Sequence, residues 1–333
     1  SGEWPISDYI SRSLVDALGR RHESAAETLR ENLCFAVADD DIHYTLLGML
    51  LLEEPGLQFE HEHVYDKWST NVPPLWTWGA ERSALLTTGV NRHHLLSPQE
   101  FGQCHDVLLL NPGDEMCGAL IRADAYGYAC PGNPDLAAWL AFKDASFTHT
   151  RTGVYGAMFI AALIALCHVA DGALEGSERL QIARQALQKV PSNTRFATIV
   201  LDALDKVAAA PDWQKAYASV HGRYGQYTHC TVYQEIGTLM NTLKFAVSID
   251  HGFCLQVSQG NDTDSFGATA GSMLGCFFGP GYLEPRWLQP LNNNLRHGLA
   301  DCHEYDLNRL ARRMGRLPAL AFGEFHQRGA EAP

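Results

Sequence analysis

Residues 260–279 read GNDTDSFGATAGSMLGCFFG, and they open with Asp262 and Asp264 one residue apart and Ser265 directly behind. A single aspartate at such a point would serve as a helix cap, favoured by the positive end of the helix dipole. Two carboxylates followed by a hydroxyl also make a compact set of hard oxygen donors, suited to Mg²⁺, Mn²⁺ or Ca²⁺. A second acidic cluster, Asp39, Asp40 and Asp41, stands at the head of the apolar run IHYTLLGMLLLEE. Three adjacent carboxylates repel one another unless water or a cation neutralises them. Each cluster therefore has two readings, a solvated helix start or half of a metal site.

The elements that must position these residues are helices. SERLQIARQALQKV, TRFATIVLDALDKVAAA and YQEIGTLMNTLKFAVSI carry apolar residues at helical spacing, and convincing period-two runs are absent. Residues 155–167 are apolar on every side, which predicts a central helix enclosed by other helices. Gly267, Gly271, Gly275 and Gly279 recur at every fourth position and would share one helix face. Each costs a helix about 1 kcal/mol relative to alanine, and the expected return is close approach of a neighbouring backbone. Residues 55–114 mix Trp, His and Gly irregularly, as helices joined by long loops that carry substrate contacts would. No repeat or charged linker divides the chain, so the expectation is one all-α domain over residues 1–333.

Composition narrows the partners. A formal net charge of −13 opposes a nucleic-acid partner. The most apolar run is shorter than the roughly 20 residues of a membrane span, so no membrane partner is expected. Nine cysteines without a CxxC pair read as reduced thiols of a cytoplasmic protein. His61, His63, His93 and His94 have no Cys or His partner at zinc-finger spacing. No G-x-S-x-G, P-loop or dinucleotide fingerprint is present.

Taken together, the motifs resemble the ADP-ribosylglycohydrolase family. GNDTDSFGATAGSMLG is similar to the family's G-G-D-T-D-T segment with its small-residue helix, and Asp39-Asp40-Asp41-Ile42 stands where the family has T-D-D-T. CGALIRADA looks like the family's N-G-x-x-M-R-x-A-P segment, while DASFTHTRTGVYGAMFIAALIA and YLEPRWLQPLNN resemble later stretches. The motifs keep the family's order over residues 33–295.

That resemblance implies an all-α orthogonal bundle of many helices and two divalent cations, Mg²⁺ first, with Mn²⁺ or Ca²⁺ as alternatives. It gives Asp39, Asp40, Asp41, Asp262, Asp264 and Ser265 as metal ligands, with Asp40, Asp41 and Asp262 catalytic. Substrate contacts would come from Gly118, Ala119, Leu120, His149, Gly260 and Asn261, with Arg122 on the segment that follows the glycine. The implied activity is hydrolysis of the glycosidic bond of an ADP-ribosyl group on a protein side chain. The alternatives are a hydrolase of a small NAD-derived or N-riboside metabolite, and a catalytically dead binding or immunity protein of the same fold.

The sequence departs from the pattern in places. Asp39 and Ile42 replace threonines, Ser265 replaces a threonine and Asn261 a glycine. The extra carboxylate either favours Mn²⁺ or Ca²⁺ or leaves Asp39 outside the ligand shell. The chain also opens beyond the family's Gly-rich first helix and the glutamate behind it; DALG at residues 16–19 lacks that loop and glutamate. The expectation is that this element has been lost from the chain, is dispensable, or has gone with catalysis.

Overall fold

Helices form wherever apolar residues recur at helical spacing, and they account for nearly all regular structure in the computed structural model, which describes residues 2–18, 26–91, 106–320 and 322. The first four are α1 (Arg12–Leu18), α2 (Asp40–Glu53), α3 (His61–Asn71) and α4 (Gly79–Asn91). The next three are α5 (Asp124–Ala129), α6 (Pro134–Thr148) and α7 (Arg151–Cys167). Then come α8 (Leu180–Leu187), α9 (Arg195–Ala209), α10 (Trp213–Tyr224) and α11 (Tyr233–Phe245). The last are α12 (Ile249–Ser258), α13 (Thr263–Phe278) and α14 (Leu307–Met314). No helix among the described residues is long and apolar enough to cross a membrane.

The run that is apolar on every side becomes α7, which packs against α5, α6, α8, α9 and α13. Its fit with α5 depends on Gly127, where an added Cβ would lie 2.6 Å from Ile164. Among the described residues, sheet is confined to β1 (Ala36–Val37) and β2 (Leu295–Arg296), paired in parallel with Ala36 opposite Leu295. This short ladder ties the chain entering α2 to the segment that follows α13.

Two expectations change. The glycine row of α13 does not receive a neighbouring backbone. An added Cβ at Gly271 or Gly275 would meet nothing within 4 Å, and Gly279 lies past the helix end as its cap, with φ of +72°. A four-residue spacing fixes which residues share a face but not what faces them; here the packed face of α13 carries Phe266, Ala270, Met273, Leu274 and Phe277. The close crossing is made from the other side, by Gly252 of α12, where an added Cβ would fall 2.0 Å from Leu274.

Among the described residues of the irregular stretch, α3 and α4 are joined by a short connection rather than a long loop, and residues 92–105 lie outside the described residues. His93, His94, Cys104 and Gly19 of the DALG stretch lie outside the described residues. The eight described cysteines are all free thiols.

Candidate functional site

Both acidic clusters sit at helix N-termini, and the fold brings those termini together. Asp39 caps α2: its carboxylate accepts the Asp40 N–H at 2.9 Å, which places Asp40 and Asp41 in the first helical turn. The other cluster is delivered by a tight reversal between α12 and α13. Gly260 and Asn261 both adopt left-handed backbone, with φ of +79° and +66°, conformations that glycine and asparagine accept most readily. Asp262, Asp264 and Ser265 emerge from that turn at the start of α13.

Asp124 holds the two helices in register. It accepts hydrogen bonds from Thr45 Oγ1 of α2 at 2.7 Å and from Ser272 Oγ of α13 at 3.1 Å. Burial pushes its carboxyl up to about 6 against the pull of those donors.

Asp39, Asp40, Asp41, Asp262, Asp264 and Ser265 all line one cavity of about 760 Å³. Its electrostatics are those of carboxylates crowded together in a partly buried place. Burial, then the neighbouring Asp39 and Asp264, push Asp40 up to about 7. Burial, Asp40 and Asp264 raise Asp41 well above the ordinary carboxylate range, opposed only by a Ser265 hydrogen bond. Asp262 is raised by burial and by Asp264. Asp41 Oδ1 is buried with no hydrogen-bond partner. A cluster of hard oxygens with an orphaned buried acceptor is the donor set that divalent cations such as Mg²⁺ take, so these residues fit such ions.

The residues expected to contact substrate separate into groups. Gly118 lies on the cavity wall, pressed against Glu81: an added Cβ would approach the Glu81 carboxylate to 2.5 Å. Ala119 and Leu120 turn into the core, with Leu120 packed on Gly156 of α7. Gly260 and Asn261 shape the turn before the ligands and are not on the wall.

His149 is on the wall and buried. Its Nδ1 pairs with Thr148 Oγ1 at 2.7 Å and its Nε2 has no partner. Burial and the nearby Arg122 hold the ring neutral, so its 3.6 Å approach to Glu81 is not an ion pair.

Three participants carried no signal that the sequence reading used. Glu81, at the start of α4, is buried against the Arg122 guanidinium, which also donates to Asp144 Oδ2 at 2.5 Å and Thr148 Oγ1 at 2.8 Å. Burial works against that guanidinium, but Asp144 and Glu81 outweigh it and keep it charged. Cys117 and Cys230 bring their thiols to Asp262 on the cavity wall. Cys117 stands inside the quoted CGALIRADA motif, but its partner comes from a distant loop and leaves no trace in local spacing.

The sequence profile described as ADP-ribosylglycohydrolase matches residues 12–321, a span that contains both acidic clusters and every helix that positions them. The chain belongs to the ADP-ribosylglycohydrolase family. No curated protein matches it in a sequence search. Membership accords with the all-α fold and places the chain among hydrolases of ADP-ribosyl groups.

Proposed function

We propose that this member of the ADP-ribosylglycohydrolase family hydrolyses the glycosidic bond at C1″ of an ADP-ribosyl group carried on a protein side chain, with two divalent cations, most readily Mg²⁺. The observation that supports this reading best is the convergence of two sequence-distant acidic clusters on one cavity, with Asp41 Oδ1 buried and unpartnered. Asp39, Asp40, Asp41, Asp262, Asp264 and Ser265 would hold the ions. Such ions, when bound, neutralise the carboxylates and polarise the oxygens of a ribose and of a water.

The chain's own groups divide the remaining work. Asp40, Asp41 and Asp262 would take a proton from an attacking water. Gly118 leaves room for the Glu81 carboxylate behind the wall. His149 backs the wall with a buried, neutral ring, and Trp78, 50% exposed on the same wall, offers a ring face for a base to stack on.

The test is release of ADP-ribose from peptides ADP-ribosylated on arginine or serine, and from NAD-like small molecules, in Mg²⁺ and in EDTA. Metal-dependent release from a peptide, strongly reduced by Asp41→Asn, is expected. Release from small molecules alone moves the substrate to a metabolite. No release from any substrate, with EDTA-resistant binding to a protein partner, replaces the enzyme with a binding protein.

A further inference from the structure

Cys117, Cys230 and Asp262 come from three separate parts of the chain: the turn before α5, the loop between α10 and α11, and the start of α13. The two cysteines are fixed side by side by a hydrogen bond from the Cys117 N–H to the Cys230 carbonyl, 2.9 Å long. Both thiols point at the same oxygen, Asp262 Oδ2, with Cys230 Sγ at 3.2 Å and Cys117 Sγ at 3.7 Å. One ligand atom from each of the three residues lies within 4.8 Å of the other two.

These separations have a chemical meaning. A tetrahedral ion with bonds of about 2.3 Å to sulfur and about 2.0 Å to oxygen sets a sulfur and an oxygen ligand about 3.5 Å apart. The two measured distances fall on either side of that edge. Next to the pair stands Glu235, whose Oε1 accepts the Cys230 N–H at 3.1 Å and whose Oε2 is buried without a partner, so a further carboxylate oxygen is close at hand.

We propose that Cys117, Cys230 and Asp262 form a binding site for a thiophilic divalent cation of the Zn²⁺ class. Two sulfurs in a ligand set select such ions over Mg²⁺ and Ca²⁺, which prefer oxygen alone. On binding, two metal–sulfur bonds and one metal–oxygen bond form, and the two thiol protons leave to solvent, so no oxidant or reductant is needed. Asp262 also belongs to the all-oxygen set, so the two kinds of ion would share that carboxylate. That sharing rests on the hydrolase reading; the thiolate site does not.

The experiment titrates the reduced full chain, in a phosphine reductant, with CoCl₂ and then ZnCl₂. A sulfur-to-cobalt charge-transfer band that saturates at one ion per chain, is bleached by Zn²⁺, and is lost in Cys117→Ser and in Cys230→Ser is the expected result. No band, or a band retained in both variants, overturns the proposal. Zinc-edge X-ray absorption on the unsubstituted protein removes any dependence on how the variants fold. Two sulfur scatterers at about 2.3 Å are expected, and a shell of nitrogen and oxygen alone overturns the site. The same preparations assayed for ADP-ribose release separate the two readings. Release without the band removes the thiolate site and leaves the hydrolase; the band without release does the reverse.

Discussion

Asp41 places a carboxylate in the interior with one oxygen unpartnered and Asp40 and Asp264 pressing on it. Its folded pKa lies well above its ordinary 3.8, so the folded state prefers the proton, and stability is lost as pH rises toward the folded value. In EDTA at neutral pH, Asp41→Asn should therefore raise the melting temperature, because the amide carries no charge to desolvate. The same substitution should abolish the rise that Mg²⁺ gives the parent by mass action on the native state. A variant that melts lower in EDTA and still responds fully to Mg²⁺ would show that Asp41 is not held as described.

Arg122 is the opposite case, a charge that is fully paired. Arg122→Met would strand Glu81 and Asp144, both buried, and should cost about 3–5 kcal/mol in urea denaturation. A loss below about 1 kcal/mol would mean that the three charges do not form one network.

Between elements, the decisive contact is Asp124, which joins α2 to α13 through Thr45 and Ser272 and so sets how the two acidic clusters meet. Its pKa moves from an ordinary 3.8 to about 6 on folding. The proton is bound more tightly in the folded state, so the parent should lose stability relative to Asp124→Asn as pH rises from the lower value to the upper and hold a constant difference above it. The shift is worth about 3 kcal/mol at most. Chemical denaturation of both proteins across that window checks it, and parallel curves would contradict it.

Gly271 supplies a second test at this scale. The open space around it means that Gly271→Ala should stabilise α13 by about 1 kcal/mol, whereas a helix passing there would make it destabilising.

What the sequence disclosed follows from whether the information is local. The enclosed helix α7 was legible because its composition is apolar all round, and the acidic openings of α2 and α13 were legible because caps are local. The glycine row misled because spacing names a face and not its neighbour, while the glycine that does admit a helix, Gly252, stands alone in its segment. Glu81 and Cys230 act through partners many residues away, and no single stretch records such pairings.

At the scale of the whole molecule, the chain carries a formal charge of −13 and lines its cavity with carboxylates, yet belongs to a family whose ligand is itself an anionic diphosphate. Like charges would repel such a ligand unless cations stand between them, so recognition and metal binding should be one event. The most direct measurement is a calorimetric titration of ADP-ribose into the protein in Mg²⁺, in EDTA, and with an Asp262→Asn, Asp264→Asn double variant in Mg²⁺. The account predicts saturable binding in the first case and its loss in the other two. Equal affinity in Mg²⁺ and EDTA, or no binding by the parent protein under either condition, would contradict it.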